Sequence, residues 1–300
     1  MGWRYVCISE AIRINYRLNS IGVSYKDEII WMNLDEIDTI IIEDLRCNTS
    51  IRLLVELAQK GISVILCSQN HTPQSLLLPL QNNSRTAKYN QFQLEWNKKI
   101  KRKVWTEIVK YKIYLQYQVL KMCEKHDKLD MLLNYISEVS EGDITNREGH
   151  AAKVYFRELF GSDFTRERNQ NDIINSSLNY IYQIVRSKIA QEIVGHGYLP
   201  SVGIFHCSEY NYFALADDII EVFRPFCDYF VINLLKKDEI TFMTPSYKEK
   251  LISILLETVI IKDTKQKFSE AIRLFVYSFT DALTNNNLDL IRFPSFDKYE

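Results

Sequence analysis

Three separated stretches of the chain carry side chains suited to holding a divalent cation. The first is Thr145-Asn146-Arg147-Glu148-Gly149-His150-Ala151-Ala152, which opens an amphipathic pattern that stops at Gly161. Glu148, Ala152, Tyr155 and Leu159 fall on one stripe, because residues three and four apart share a helix face. A carboxylate beside Gly149 and Ala152 leaves room for an incoming group. The same residues have a second reading: Thr145-x-x-Glu148 is the signature of a capping box, whose glutamate bonds back to the cap amide. The second stretch runs from Val194 to His206 through Gly195, Gly197, Pro200 and Gly203, a turn-rich connection after a helix. His206 ends an apolar run. A neutral imidazole is a common metal ligand, and it is equally at home as a hydrogen-bonded core residue. His196, between two glycines, reads as a surface loop residue. The third stretch is Ala216-Asp217-Asp218-Ile219-Ile220-Glu221-Val222-Phe223-Arg224-Pro225. Asp218 and Glu221 share a helix face, and paired carboxylates repel unless a cation lies between them. That cation can be a metal ion, or simply Arg224 one turn further on.

Two carboxylates and one imidazole with open positions suit Mg²⁺ or Mn²⁺, the imidazole tilting the choice toward Mn²⁺. Such an ion activates a hydroxyl and neutralises charge during phosphoryl transfer. A polyanionic substrate needs a basic surface, and residues 96–112 carry seven basic groups against one acid. Lys98, Lys99, Lys101, Arg102 and Lys103 are the candidate DNA contacts there, with Arg85, Lys88, Arg147 and Arg168 extending the track. The plain alternative is a solvated helix face.

The elements that must position these groups divide the chain in two. Residues 1–85 read as a small β-rich domain. Its strands are Arg4–Ile8, Ile12–Leu18, Gly22–Tyr25, Glu28–Met32, Thr39–Ile42 and Ile62–Cys67, with one helix in Asn48–Lys60 ended by Gly61. The polar run 81–88 reads as the linker. Residues 86–300 read as a larger, all-helical catalytic domain, with helices at 128–140, 146–160, 171–194, 211–223, 246–260 and 266–284 besides the long one carrying the basic run. The fold class is therefore α+β. A net charge of -1 argues against a polycation that coats nucleic acid indiscriminately, so any basic surface must be local. The six cysteines form no C-x-x-C pair and read as reduced thiols. The first residues lack a basic region followed by a long apolar stretch, and no run nears the ~18 apolar residues of a membrane span. The expectation is a cytoplasmic protein that does not enter the membrane.

At these motifs the chain resembles the CRISPR-associated adaptation integrase family, the larger protein of the spacer-acquisition pair. Glu148-Gly149-His150-Ala151-Ala152, Gly203-Ile204-Phe205-His206 and Asp218-Ile219-Ile220-Glu221-Val222-Phe223-Arg224-Pro225 follow the family's Glu-Gly-x-Ala-Ala, Gly-x-x-His and Asp-x-x-Glu-x-Phe-Arg-Pro patterns in order. Between them, Asn175-Ser-Ser-Leu178-Asn179-Tyr180-x-Tyr182 looks like the family's Asn-x-x-Leu-Asn-Tyr-x-Tyr helix. Ile220 and Val222 replace a common Met and Pro. The resemblance implies metal roles for Glu148, His206 and Glu221 with Asp218 assisting, and adds Asn175 and Tyr180 to the expected DNA contacts. It implies insertion of spacer DNA into a CRISPR array, by attack of a 3′-hydroxyl on a phosphodiester of double-stranded repeat DNA. It also implies homodimers, formed through the β-rich domain, that sandwich a small partner protein in a heterohexamer-like integrase, and contacts with other adaptation proteins and the effector nuclease. The Glu-Gly-His-Ala-Ala form looks like the subtype found with a single large RNA-guided effector. A non-catalytic DNA-binding scaffold and a metal-dependent nuclease for branched DNA remain the alternatives.

Overall fold

The computed structural model describes residues 2–26, 28–69, 71–79, 83–167, 172–237 and 240–297. The chain divides into two compact units, residues 1–86 with 194–198, and residues 87–193 with 199–300. In the first unit, β1 (Arg4–Ile8), β5 (Ile37–Ile42), β7 (Ser63–Cys67) and β8 (Pro73–Leu77) form one sheet in the order β1-β5-β7-β8. The first three are parallel and β8 is antiparallel. β5 is bulky and buried along nearly its whole length, as a strand covered on both faces must be. A second sheet has the order β4-β3-β2-β6, from β2 (Arg13–Arg17), β3 (Ser20–Tyr25), β4 (Glu28–Asn33) and β6 (Asn48–Thr49). β2 and β3 join through Leu18 and Asn19 at φ 47° and 59°, the left-handed pair a two-residue hairpin needs, built here without glycine. α1 (Ile51–Gln59) begins at Ser50, whose hydroxyl accepts from the Leu53 amide at 3.2 Å. Its Leu53 and Leu57 join Ile14, Ile40 and Val64 in the core of this unit. His196 is buried rather than on the surface, its ring edge-on to Tyr198 at 5.7 Å.

The second unit is built around α3 (Lys98–Met122), a 25-residue helix started by the Asn97 side chain, which accepts from the Lys99 amide at 2.8 Å. A shorter α2 (Thr86–Leu94) precedes it, so the polar run read as a linker already enters a helix. α3 buries Val104, Trp105, Ile108, Val109, Leu115 and Val119. It packs against α4 (Leu129–Glu138), α5 (Arg147–Phe160) and α8 (Arg224–Lys237). α6 (Ile173–Gly195), α7 (Ala214–Ile220), α9 (Pro245–Ile252) and α10 (Phe268–Thr284) complete the helices. Pro225 lies in the first turn of α8, where its missing N–H removes no helical bond.

The unit is not all-helical. A hairpin of β9 (Thr258–Ile261) and β10 (Thr264–Lys267) stands where the sequence suggested helix to residue 260. The β-branched run Thr258-Val-Ile-Ile prefers a pleated surface, and Lys262 and Asp263 turn it at φ 52° and 58°. Among the described residues no helix is long and apolar enough to cross a membrane.

Phe223, Phe268 and Phe275 meet edge-to-face in this unit, Phe223 lying 5.5 Å from each of the other two ring centroids. Phe275→Ala should cost about 3–5 kcal/mol through lost contact and a residual cavity, read as a lowered urea midpoint for unfolding.

Candidate metal centre

Glu148 lies in the first turn of α5, yet its carboxylate does not close a capping box. Asn146 is the cap instead, held at φ 52°, and its Oδ1 accepts from the Gly149 amide at 3.2 Å. The Asp143 carboxylate accepts from the Arg147 and Glu148 amides at 2.8 and 3.0 Å. With these helix-start amides already satisfied, the Glu148 side chain is released from capping duty. It reaches across to α3, where its Oε1 lies 2.6 Å from the Lys112 ammonium. The same ammonium lies 2.5 Å from Oε2 of Glu221, which follows α7. Glu221 Oε1 accepts from Arg224 Nε at 2.8 Å. The cations beside these carboxylates are therefore protein groups here: Arg224, the plain alternative to a metal ion in the sequence, and Lys112, which the basic run of α3 contains. Burial opposes the charge on Lys112, but Glu148 and Glu221 outweigh it and carry its pKa up. Burial likewise opposes ionised Glu221, and Arg224 and Lys112 outweigh that, holding its pKa down at about 2.

His206 is fixed by Asp218, a fully buried carboxylate on α7. Asp218 Oδ1 accepts from the His206 amide at 3.0 Å and from its Nδ1 at 2.8 Å. Oδ2 accepts from the Ile204 amide at 2.6 Å. The hydrogen bond to Asp218 raises the His206 pKa against the opposing effect of burial. Because the carboxylate only accepts, Nδ1 carries a proton and the lone pair of the neutral ring falls on Nε2, the arrangement of a metal-binding histidine. Gly203 is required by this wrap: a Cβ there would lie 2.5 Å from the His206 carbonyl oxygen and 2.7 Å from Asp218 Oδ2. Trp105 of α3 stacks flat on Phe205 at 4.1 Å and meets the imidazole edge-on at 5.7 Å.

Among the described residues no three acidic, histidine or cysteine side chains stand as a ready-made ion cage. The donors converge in pairs, Glu148 with Glu221 across Lys112 and His206 with Asp218. The donor chemistry fits a hard divalent ion, and the charge between Glu148 and Glu221 is supplied by the Lys112 ammonium.

Next to Lys112 lies a cavity of about 220 Å³, whose lining includes Gln116, Phe156, Arg166, Tyr182, Arg224 and Asp228. Arg224 and Arg166 sit over the Tyr182 ring at 4.5 and 5.4 Å. The Tyr182 hydroxyl donates to Asp228. Burial pushes the Asp228 pKa up to about 6, although Tyr182, Tyr155 and the two arginines favour its ionised form.

Of the expected DNA contacts, Lys98, Lys99, Arg102 and Lys103 are exposed along the start of α3, and Lys101 is half-buried with its ammonium over Trp96. Arg85 and Lys88 are exposed. Arg147 is half-buried, paired with Glu138 at 3.1 Å. Arg168 lies outside the described residues. Asn175 and Tyr180 are both buried. Asn175 accepts from Arg166 Nη1 at 2.9 Å and donates to Asp172 at 2.8 Å, so it braces the segment before α6. Lys112 had a legible signal: together with Gln116 it interrupts the apolar stripe of Val104, Ile108 and Leu120 at four-residue steps.

The profile described as CRISPR associated protein Cas1 matches residues 5–272. The chain is 34% identical over 297 residues to a CRISPR-associated endonuclease Cas1 of Neisseria meningitidis serogroup C (strain 8013), covering 98% of this chain and 96% of that protein. In fold it is similar to a casposase bound to integration product, with TM-score 0.79, 20% identity, and 95% and 92% of the two chains covered. It is also similar to a chain of a Cas6-RT-Cas1–Cas2 complex, with TM-score 0.80, 17% identity, and 99% of this chain and 36% of that one covered.

Asp218→Ala would strand several buried donors, and should destabilise the second unit by at least about 2 kcal/mol in urea unfolding, with the His206 tautomer shifted in ¹⁵N NMR. For Glu221 the folded pKa lies below the unfolded one. Its ionised form therefore stabilises the fold above about pH 4.5, and that contribution is lost as pH falls toward 2. Glu221→Gln should consequently lose less stability than the unmodified chain between about pH 5 and pH 3, measured by urea midpoints at each pH.

Proposed function

Because the chain belongs to the CRISPR-associated Cas1 family, we propose that it is a metal-dependent DNA integrase and endonuclease of spacer acquisition. The observation that carries this reading is the convergence of Glu148, from α5, and Glu221, from the segment after α7, on one buried cation position, with Glu221 also among the charges acting on the carboxylate-braced His206. The reaction is attack of a spacer 3′-hydroxyl on a phosphodiester at the boundary of a CRISPR repeat. Glu148, Glu221 and His206 Nε2 would hold Mg²⁺ or Mn²⁺. When bound, the ion supplies Lewis acidity to the phosphodiester and the hydroxyl.

The remaining work is done by the chain itself. Asp218 holds the imidazole in one tautomer and one orientation. Arg224 holds Glu221 ionised, ready to ligate. The exposed Lys98, Lys99, Arg102 and Lys103 bind duplex phosphates, so binding weakens with salt. Trp3, Ile29, Ile30 and Trp31 are exposed apolar side chains of the first unit, which suits a homodimer interface there. A small partner protein bridging two such dimers is in keeping with the Cas1–Cas2 complex that shares this fold. Other adaptation proteins, a single large effector nuclease and a cytoplasmic setting complete the proposal.

A second reading, a non-catalytic DNA-binding scaffold, draws on Lys112, whose ammonium already balances the carboxylates. An integration assay separates the readings, using the purified chain, its small partner, Mn²⁺ and labelled 3′-hydroxyl DNA. The expected result is a product joined to the target, reduced at least about 100-fold in Glu148→Ala. Cutting of branched DNA without joining would make the chain a nuclease. Full strand transfer by Glu148→Ala would overturn the mechanism.

A further inference from the structure

Lys112 is buried in mid-helix, and its ammonium contacts one oxygen of each proposed carboxylate ligand, at 2.6 and 2.5 Å. Ligand oxygens sit about 2.0–2.2 Å from Mg²⁺ or Mn²⁺. An ion ligated by these same two oxygens would therefore compete with the ammonium for the space between them. Charge gives the same answer. Glu148 and Glu221 are balanced by Lys112 and Arg224, and a dication added to that neutral group meets repulsion unless one cation leaves. Arg224 is the less mobile, since it is tied to Glu221 Oε1 and stacked on Tyr182.

The cavity next to Lys112 offers it a second position. One turn along α3, Gln116 lines that cavity and is 1% exposed, and its Oε1 has no hydrogen-bond partner. A buried acceptor left unpaired costs about 1–3 kcal/mol, which an arriving ammonium would recover. The carboxylate of Asp228 lines the same cavity. Its cationic neighbours are Arg224 and Arg166, and the latter is already bonded to Asn175 and Asn179 at 2.9 and 2.7 Å.

We propose that Lys112 is a displaceable counter-ion. Its ammonium holds the Glu148–Glu221 pair until a divalent ion arrives, then swings to Gln116 and Asp228 in the adjoining cavity. The inference rests on the reading of Glu148 and Glu221 as ion ligands. It makes the affinity for the ion a difference between two cation positions, set by Lys112 and Gln116.

The test is a Mn²⁺ titration of the full chain, followed by electron paramagnetic resonance of free Mn²⁺ and by melting temperature. Lys112→Met should melt lower than the unmodified chain in EDTA, regain that loss with Mn²⁺, and bind Mn²⁺ at least about tenfold more tightly. Gln116→Leu, which leaves the carboxylate pair and its lysine in place, should bind Mn²⁺ about tenfold more weakly. This second variant decides the matter if Lys112→Met does not fold. Equal Mn²⁺ affinity in all three chains, abolished by Glu148→Gln, would overturn the displacement while leaving the metal reading intact. Mn²⁺ binding to none of them, with or without DNA, would bring down both.

Discussion

Two glutamates that repel one another meet in this protein, Glu221 buried and Glu148 half-buried, and the ammonium of Lys112 between them is what lets α5 and the segment after α7 close on α3. Removing one member of a buried ion group leaves an uncompensated charge, a loss of about 3–5 kcal/mol. The consequences run outward along three elements. α3 must present Lys112 inward at the level where α5 begins, α5 must start without using Glu148 as its cap, and the segment after α7 must deliver Glu221 with Arg224 one turn behind it. Asp143 and Asn146 meet the second of these conditions by taking over the start of α5.

The imidazole is held by a different device. Its backbone and ring both bond to one fully buried carboxylate, and the segment from Gly203 to His206 wraps closely enough around Asp218 that no side chain fits at Gly203. The carboxylate pair thus relies on charge balance, which an incoming cation can alter. The imidazole relies on hydrogen bonds made within the fold, which such a cation leaves untouched. Under the proposed metal role, a site with one adjustable half and one fixed half would accept an ion without losing the orientation of its imidazole.

Much of this was legible in the residues. The strand runs before Gly61 and the helical periodicities after residue 89 gave an α+β chain, because apolar spacing reports which face is buried. Glu148, Asp218 and Glu221 stood out because carboxylates on apolar stripes demand a partner. Three features of the structure depart from what the spacing and charge suggest. The Thr145-x-x-Glu148 spacing suggested a capping box, and only the left-handed Asn146 shows that a neighbour took that role. The β9–β10 hairpin was masked by flanking helices, its turn carried by Lys262 and Asp263 rather than by glycine. Lys112 counts toward the basic run by charge content alone, and only the apolar positions at four-residue steps mark its face of α3 as buried. Asn175 and Tyr180 were drawn from a resemblance, and burial turns both toward the protein interior.

The stack of Trp105 on Phe205, with its edge toward His206, has an optical consequence. An indole packed flat against one ring and edge-on to an imidazole emits according to the charge beside it, since a protonated imidazole quenches indole fluorescence. The chain therefore carries a native fluorophore against the proposed ligand. Changes of state at that histidine can be followed in the unlabelled protein, with the other tryptophans replaced by phenylalanine.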